Sequence, residues 1–205
     1  MKTFLDFLQE ETAKKRGLFA FDVDDTLFHT TAKVRVMHGK KHVQSLSNSE
    51  YNTHELPKGH HYDFSEFRSA EKFAKESKPN HHVLDKMKAI HAGVQKKGGK
   101  VIINTARADF DDKDKFLGKF RQHGVDIDNI HVYRAGNDTG PGTVAEKKAA
   151  VMRRHLDTGN YSHATLYDDS EHNLKHFLAL KKEFPSVKFN AHHVLPNGRS
   201  RKYTG

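Results

Sequence analysis

Residues 18–27 read Leu18-Phe19-Ala20-Phe21-Asp22-Val23-Asp24-Asp25-Thr26-Leu27. The first four are an apolar run too short for a helix, and they fit a strand buried on both faces, the pattern of a parallel sheet. Three acids follow almost at once. Open α/β sheets bind ligands beyond the carboxyl ends of their strands, so acids at that point predict a reactive edge.

Working outward, the same unit repeats. Upstream, Thr3 to Lys15 reads as a short helix capped by Thr3, with Phe4, Leu5 and Leu8 on one face and Gly17 as its stop. Downstream, Val83, Leu84, Met87, Ile90 and Val94 recur at helical spacing after Pro79-Asn80, and Gly98-Gly99 ends them. Val101-Ile102-Ile103 is a second buried strand; Phe116, Leu117 and Phe120 mark a helix; Ile130 to Tyr133 is a third strand. Val144, Val151, Met152 and Leu156 form the next helix, Ala164 to Tyr167 a fourth strand, and Leu174, Phe177, Leu178 and Leu180 another helix. Val187 to Val194 is a fifth strand, followed by a polar, basic tail from Pro196 to Gly205. Strands alternating with helices imply βαβ units, and so an α/β fold whose central parallel sheet is covered on both faces.

The stretch 28–78 breaks this rhythm. Val34, Val36 and Val43 alternate with polar residues around His38-Gly39-Lys40, as a hairpin does, and Tyr62, Phe64, Phe67 and Phe73 fall on a loop and a short helix. Residues 1–27 and 79–205 are thus the expected core and 28–78 an inserted cap. An insertion directly after the first strand overhangs the carboxyl edge, where a lid belongs.

Composition narrows the classes. At 205 residues, with 35% hydrophobic and 30% charged residues, the chain can bury one core and is not of disordered composition. No apolar run reaches the roughly 18 residues that span a bilayer, and the N-terminus lacks the pattern of a secretory signal, so a cytoplasmic location and no membrane partner are expected. The absence of cysteine excludes disulfides, thiolate metal sites and a cysteine nucleophile. A formal charge of +9 points to an anionic partner. The pairs His60-His61, His81-His82 and His192-His193 lack the spacing of a histidine metal site.

Three strands end in groups suited to phosphate chemistry: Asp22, Asp24 and Thr26 after the first, Thr105 and Arg107 after the second, Asp168 and Asp169 after the fourth. The helix before the fourth strand brings Lys147 and Lys148. Singly, each is an ordinary turn, cap or surface residue. Jointly, each at the expected strand or helix, they form a site. Four carboxylates brought together repel one another unless a cation relieves them, and Mg2+ suits oxygen ligands.

With these residues in place, the chain resembles the haloacid dehalogenase (HAD) superfamily of phosphohydrolases. The resemblance rests on Asp22-Val23-Asp24-Asp25-Thr26-Leu27, on Val101-Ile102-Ile103-Asn104-Thr105, on a helix lysine and on Leu166-Tyr167-Asp168-Asp169, and it spans Leu18 to Val194 except the insertion. It implies a Rossmann-like three-layer sandwich with strand order 5-4-1-2-3. It also implies that Asp22 attacks phosphorus, that Asp24 is acid and then base, that Thr105 donates to the phosphoryl group and that the lysine neutralises its charge. Metal would be held by Asp22, Asp24 (through its carbonyl) and Asp169, with Asp168 in support and Thr26 near the substrate; Asn173 stands where a second acid is often found. Lys148, followed by Ala149-Ala150-Val151-Met152, matches the family spacing better than Lys147. The glycine-rich loop from Gly136 to Gly142 lacks a P-loop ending and reads as a flexible connection. Arg107 offers a planar fork for a second phosphate or carboxylate, or else makes a surface ion pair.

The reaction is more legible than the substrate. Lys58, His60, His61, Tyr62 and Arg68 in the cap, with the positive charge, favour a nucleotide or a nucleic-acid phosphate end. The alternatives are a phosphatase of small sugar or metabolite phosphates, transfer to an acceptor other than water, and a nucleic-acid-binding protein that does not turn over.

Overall fold

The computed structural model describes Thr3, residues 16–51 and residues 53–205; apart from Thr3, the helix expected over Thr3 to Lys15 lies outside the described residues. In chain order the strands are β1 (Gly17–Phe21), β2 (Phe28–His29), β3 (Val34–His38), β4 (Lys41–Leu46), β5 (His60–Asp63), β6 (Lys78–Pro79), β7 (Lys100–Thr105), β8 (His131–Arg134), β9 (His163–Asp168), β10 (Lys188–Val194) and β11 (Ser200–Tyr203). The α-helices are α1 (Asn48–Tyr51), α2 (Ala70–Glu76), α3 (His81–Gln95), α4 (Lys113–Gln122), α5 (Val144–Leu156) and α6 (Glu171–Ala179).

The apolar run of β1 lies inside the main sheet, parallel to β7 on one side and to β9 on the other. Side chains alternate between the two faces of a strand, and both faces of β1 are covered. Leu18 and Ala20 join a core with Met152 of α5 and Phe177 of α6. Phe21 joins Ile103, Met87 of α3 and Phe116 and Phe120 of α4 on the other face. Burying side chains of this size contributes roughly 1.5–3 kcal/mol each, which is why so short a run is held as a central strand.

The sheet runs β11-β10-β9-β1-β7-β8. The order therefore differs from the expected five-strand arrangement: a sixth strand, β11, pairs antiparallel with β10. The residues expected as a polar tail form it. Gly198, at φ 79°, turns the chain, with Gly198 N donating to Leu195 O at 2.8 Å. A polar strand is tolerated there because an edge strand has one free side. Asn80 locks this turn to the core, its amide donating to Gly198 O at 3.0 Å and to Thr26 O at 2.9 Å while its side-chain oxygen caps α3 at Val83 N.

The inserted segment leaves and returns side by side, because β2 and β6 pair with Phe28 opposite Pro79. Between them β4-β3-β5 form an antiparallel sheet. The hairpin expected around Gly39 is β3–β4. Tyr62, expected on a loop or helix, lies instead on β5, held by pairing with Val36. This sheet has a small core of its own, Ala32, Val34, Val36, Leu46 and Phe67, whereas Ala70 and Phe73 of α2 pack into the main core beside Phe28 and Phe116. Among the described residues no helix is long and apolar enough to cross a membrane.

Candidate active site

Sheet register assembles the site. Phe21 stands opposite both Ile103 and Tyr167, so the residues that follow, Asp22, Asn104-Thr105 and Asp168, emerge on one edge. Asp22 N donates to Tyr167 O at 3.0 Å, fixing the exit of β1. The chain then folds back sharply: Leu27 N and Phe28 N both donate to Val23 O, and Asp25 takes φ 56°. Aspartate tolerates that region better than most residues, and its carboxylate is engaged by Thr30 N at 3.2 Å and by the Asn48 amide at 2.7 Å.

Lys148 Nζ donates to Asp22 Oδ1 and to Asp168 Oδ2, each at 2.7 Å, and all three side chains are buried. Lys147 points elsewhere, to the carbonyl of Asp138 at 2.6 Å on the surface. Asp168 is further held by Ser170 N and by the Asn173 amide, both at 2.9 Å on Oδ1. Asn173 therefore braces an acid rather than standing in for one. Asn104 ties the lysine helix to β7, its amide donating to Lys148 O at 2.9 Å.

The carboxylates of Asp22, Asp168 and Asp169 bring ligand oxygens within 4.8 Å of one another. Burial, only partly opposed by Lys148 and reinforced by Asp168 and Asp24, pushes Asp22 up to about 7. Burial and the charges of Asp168 and Asp22 push Asp169 well above the usual carboxylate range. Burial alone would lower Lys148, but Asp168 and Asp22 hold it above its ordinary value. Three carboxylates against one ammonium leave two charges unbalanced, which is what a divalent cation with oxygen ligands would neutralise. The residues present thus fit such an ion, with Asp169 and Asp22 best placed to hold it because Asp168 already accepts from three protein donors. The Asp24 carboxylate is not part of this cluster.

Asp24 is instead gripped by Arg107, whose Nε and Nη2 donate to its two oxygens at 2.8 and 2.6 Å. Here the structure departs from expectation. The fork does grip a carboxylate, but one of the protein's own rather than a ligand's, and it is no surface pair: Arg107 is 2% exposed, and Nη1 donates to Phe67 O at 2.7 Å. The reason is local packing: its guanidinium lies among the rings of Phe67, Phe73 and Phe110, at 5.2, 4.8 and 5.5 Å. Thr105 is fully buried, its hydroxyl oxygen accepting from Arg107 N at 3.2 Å and its own proton left to donate. Thr26, expected near the substrate, is also fully buried, and its hydroxyl has no hydrogen-bond partner among the described residues. The fold-back at Val23 turns it towards the interior instead of the cavity.

A cavity of about 770 Å³ opens over Asp22 and Asp24, walled on the inserted side by Tyr51, His54, Tyr62, Phe64, Phe67 and Arg68. Phe64 remains 43% exposed, with its ring edge-on to Tyr51 at 5.5 Å. Of the five inserted-segment residues singled out from sequence, Tyr62 and Arg68 line this wall and Lys58, His60 and His61 do not. Lys147, His172 and both Gly136 and Gly142 of the expected flexible connection also line it, as do Arg107, Lys148 and Asp169. Sequence reading missed Asn104, the Asp24–Arg107 pair, Tyr51 and His54; only Asn104, a polar residue ending an apolar run, carried a local signal.

No protein-family model matches this chain, and no curated protein matches it. Among solved structures it is similar to the HAD domain of the effector protein Lem4 from Legionella pneumophila. The inactive-mutant form aligns with a TM-score of 0.51 at 14% identity, covering 88% of this chain and 86% of that one. A second structure of that domain gives 0.49 and 16%, covering 88% and 87%. At such identity the likeness is one of fold, and the fold is HAD-like.

Proposed function

We propose that this chain is a magnesium-dependent phosphomonoester hydrolase in which Asp22 is the nucleophile. The observation that carries the reading is the buried Lys148 shared by Asp22 and Asp168 on the floor of a cavity. Fixing Asp22 through one oxygen leaves the other, which has no donor among the described residues, to attack phosphorus. The P–O bond to the leaving group breaks as Asp24 delivers a proton to that oxygen, and an aspartyl-phosphate forms on Asp22. Water then attacks the same phosphorus, gives its proton to Asp24 and releases Asp22. In this reading Lys148, which lines the cavity, offsets charge on the phosphoryl oxygens, and the Thr105 hydroxyl, fully buried and not among the lining residues, would have to reach them from beneath. A bound Mg2+, held by Asp22 and Asp169, would supply further charge neutralisation.

The inserted segment is the lid of this reading, and its aromatic wall supports a nucleotide or a nucleic-acid phosphate end as substrate. Aromatic side chains offer faces and edges to a base, while Arg68, Lys147 and His172 suit an anion. The test is phosphate release with magnesium from sugar phosphates, mononucleotides and 3′- or 5′-phosphorylated oligonucleotides. Asp22→Asn should lower turnover by about 10³-fold or more, equivalent to ~4 kcal/mol. Phe64→Ala should raise KM for nucleotides and leave it unchanged for sugar phosphates. A wild-type protein inert on every substrate, yet binding nucleic acid equally well with Asp22→Asn, would make it a binding protein instead.

A further inference from the structure

The guanidinium of Arg107 is a junction. Two of its nitrogens take both oxygens of Asp24, at 2.8 and 2.6 Å; Nη1 donates to Phe67 O of the inserted segment at 2.7 Å; Nη2 also reaches Thr30 Oγ1 at 3.3 Å. Each of its three nitrogens donates to a protein acceptor, four hydrogen bonds in all, and aromatic rings pack against its plane. The segment that carries it is fixed as well. Arg107 O accepts from Gly136 N at 3.3 Å, and a side chain on Gly136 would collide with the backbone of residues 106–108. Further along the same loop, Asp111 N donates to Arg68 O at 3.1 Å and Ala70 N donates to Asp111 Oδ1 at 2.8 Å. The loop after β7 is therefore the seam that joins the inserted segment to the sheet.

Building on the phosphohydrolase reading, we propose that Arg107 is the positioning residue for Asp24. Arg107 borders the cavity, but each of its nitrogens is engaged by a protein acceptor, so it acts on Asp24 rather than on substrate. It holds the carboxylate in one plane through a two-point bond, and it ties that plane to the segment that walls the leaving-group side of the cavity. A fork of this kind specifies orientation as well as charge, which a lysine cannot reproduce. When Asp24 gives its proton to the leaving oxygen, the carboxylate that results is received by a site already built for it. Since Phe67 O and Thr30 Oγ1 share the same guanidinium, the acid/base is aligned only while the inserted segment is seated.

The consequence is a dependence on the leaving group. Protonation matters most when an alkoxide must depart and least when the leaving group is a stabilised phenolate. Arg107→Gln should lower kcat/KM for an alkyl phosphate by about 10²-fold, the usual cost of a misplaced catalytic group, and for 4-nitrophenyl phosphate by less than about 10-fold. In the double variant with Asp24→Asn, the alkyl phosphate should lose no more than with Asp24→Asn alone, because the arginine acts only through that acid. Arg107→Lys should show the same discrimination in smaller measure, and it serves if the glutamine variant does not fold.

Equal losses on both substrates, or additive losses in the double variant, would reduce Arg107 to a structural residue. These outcomes remain distinct from failure of the hydrolase reading, in which wild-type protein releases no phosphate from either substrate and the positioning role falls with it.

Discussion

Lys148 is the residue whose removal has the most calculable result. Its ammonium sits 2.7 Å from an oxygen of Asp22 and 2.7 Å from one of Asp168. Breaking a buried ion pair from one side costs about 3–5 kcal/mol, because the partner is left charged and unsolvated. Lys148→Met keeps most of the volume and removes the charge, so it isolates this electrostatic loss from the cavity that Lys148→Ala adds. The cost must depend on pH, and its sign follows from Asp22. That carboxyl lies at about 7 in the fold, above its ordinary 3.8. A raised carboxyl contributes stability that is fully present below 3.8 and lost as pH rises through about 7. Without Lys148 the ionised form is harder still to accommodate, so the variant's deficit widens as pH rises.

The assay is urea unfolding in chelator at pH 5 and pH 8. Lys148→Met should be less stable than wild type by about 4 kcal/mol at pH 8, a large share of the ~5–15 kcal/mol typical of a domain, and by clearly less at pH 5. Magnesium at ~100 times its dissociation constant should return about 2.7 kcal/mol. Lys147→Ala is the control: among the described residues its ammonium donates to the Asp138 carbonyl on the surface, so it should stay within about 0.5 kcal/mol. Turnover should fall about 10²–10³-fold with Lys148→Met, as when a donor to a developing oxyanion is removed. A deficit that does not change with pH, or a larger one in Lys147→Ala, would refute the reasoning.

Two further expectations concern a half-buried histidine and the backbone packing behind Arg107. Burial, with smaller contributions from Lys100, His131 and Arg154, lowers His155 from 6.5 to about 4; its contribution to stability is present above 6.5 and lost as pH falls towards 4, by ~1–2 kcal/mol after allowing for its part exposure. His155→Gln should therefore flatten the Tm-against-pH curve across that window relative to wild type, and an unchanged slope would count against the shift. Gly136→Ala would drive a Cβ to 2.8 Å from Ala108 N; Tm should fall by an amount equivalent to ~1–3 kcal/mol with kcat/KM falling alongside, whereas Gly118→Ala, which meets nothing within 4 Å, should spare activity.

What could be read in the chain depended on how far apart the interacting residues lie. The core strands were legible because Leu18 to Phe21 and Val101 to Ile103 are apolar without interruption, and burial on two faces needs nothing more. Acids directly beyond such strands were legible as a site because parallel register brings strand ends together. Strand β5 was not, since His60-His61-Tyr62-Asp63 carries no apolar alternation and exists through pairing with β3. Nor was β11, although Asn197-Gly198 was a turn signal in plain view. The direction of Arg107 was beyond reach for a different reason: its partner Asp24 is 83 positions away, and nothing in Ala106-Arg107-Ala108 says whether the side chain turns inward.

That unreadable pairing changes how the Asp22-Val23-Asp24 segment works. The two acids are chemically identical and two positions apart, yet in the proposed reaction their tasks differ: one presents a free oxygen to phosphorus, the other passes a proton to the leaving group and takes one from water. Sequence spacing cannot separate them, but their partners do. Asp22 shares a point charge, Lys148, with Asp168 at the foot of the sheet and keeps one oxygen that takes no donor among the described residues. Asp24 has both oxygens held by the fork of Arg107, which in turn holds the inserted segment. Enzymes that use paired carboxyl groups separate their roles by giving them different surroundings. Here the difference is built from two cations on two elements, α5 and the loop after β7. A variant that exchanges only one of them should therefore disturb one half of the reaction: attack when Lys148 is lost, protonation of the leaving group when Arg107 is lost.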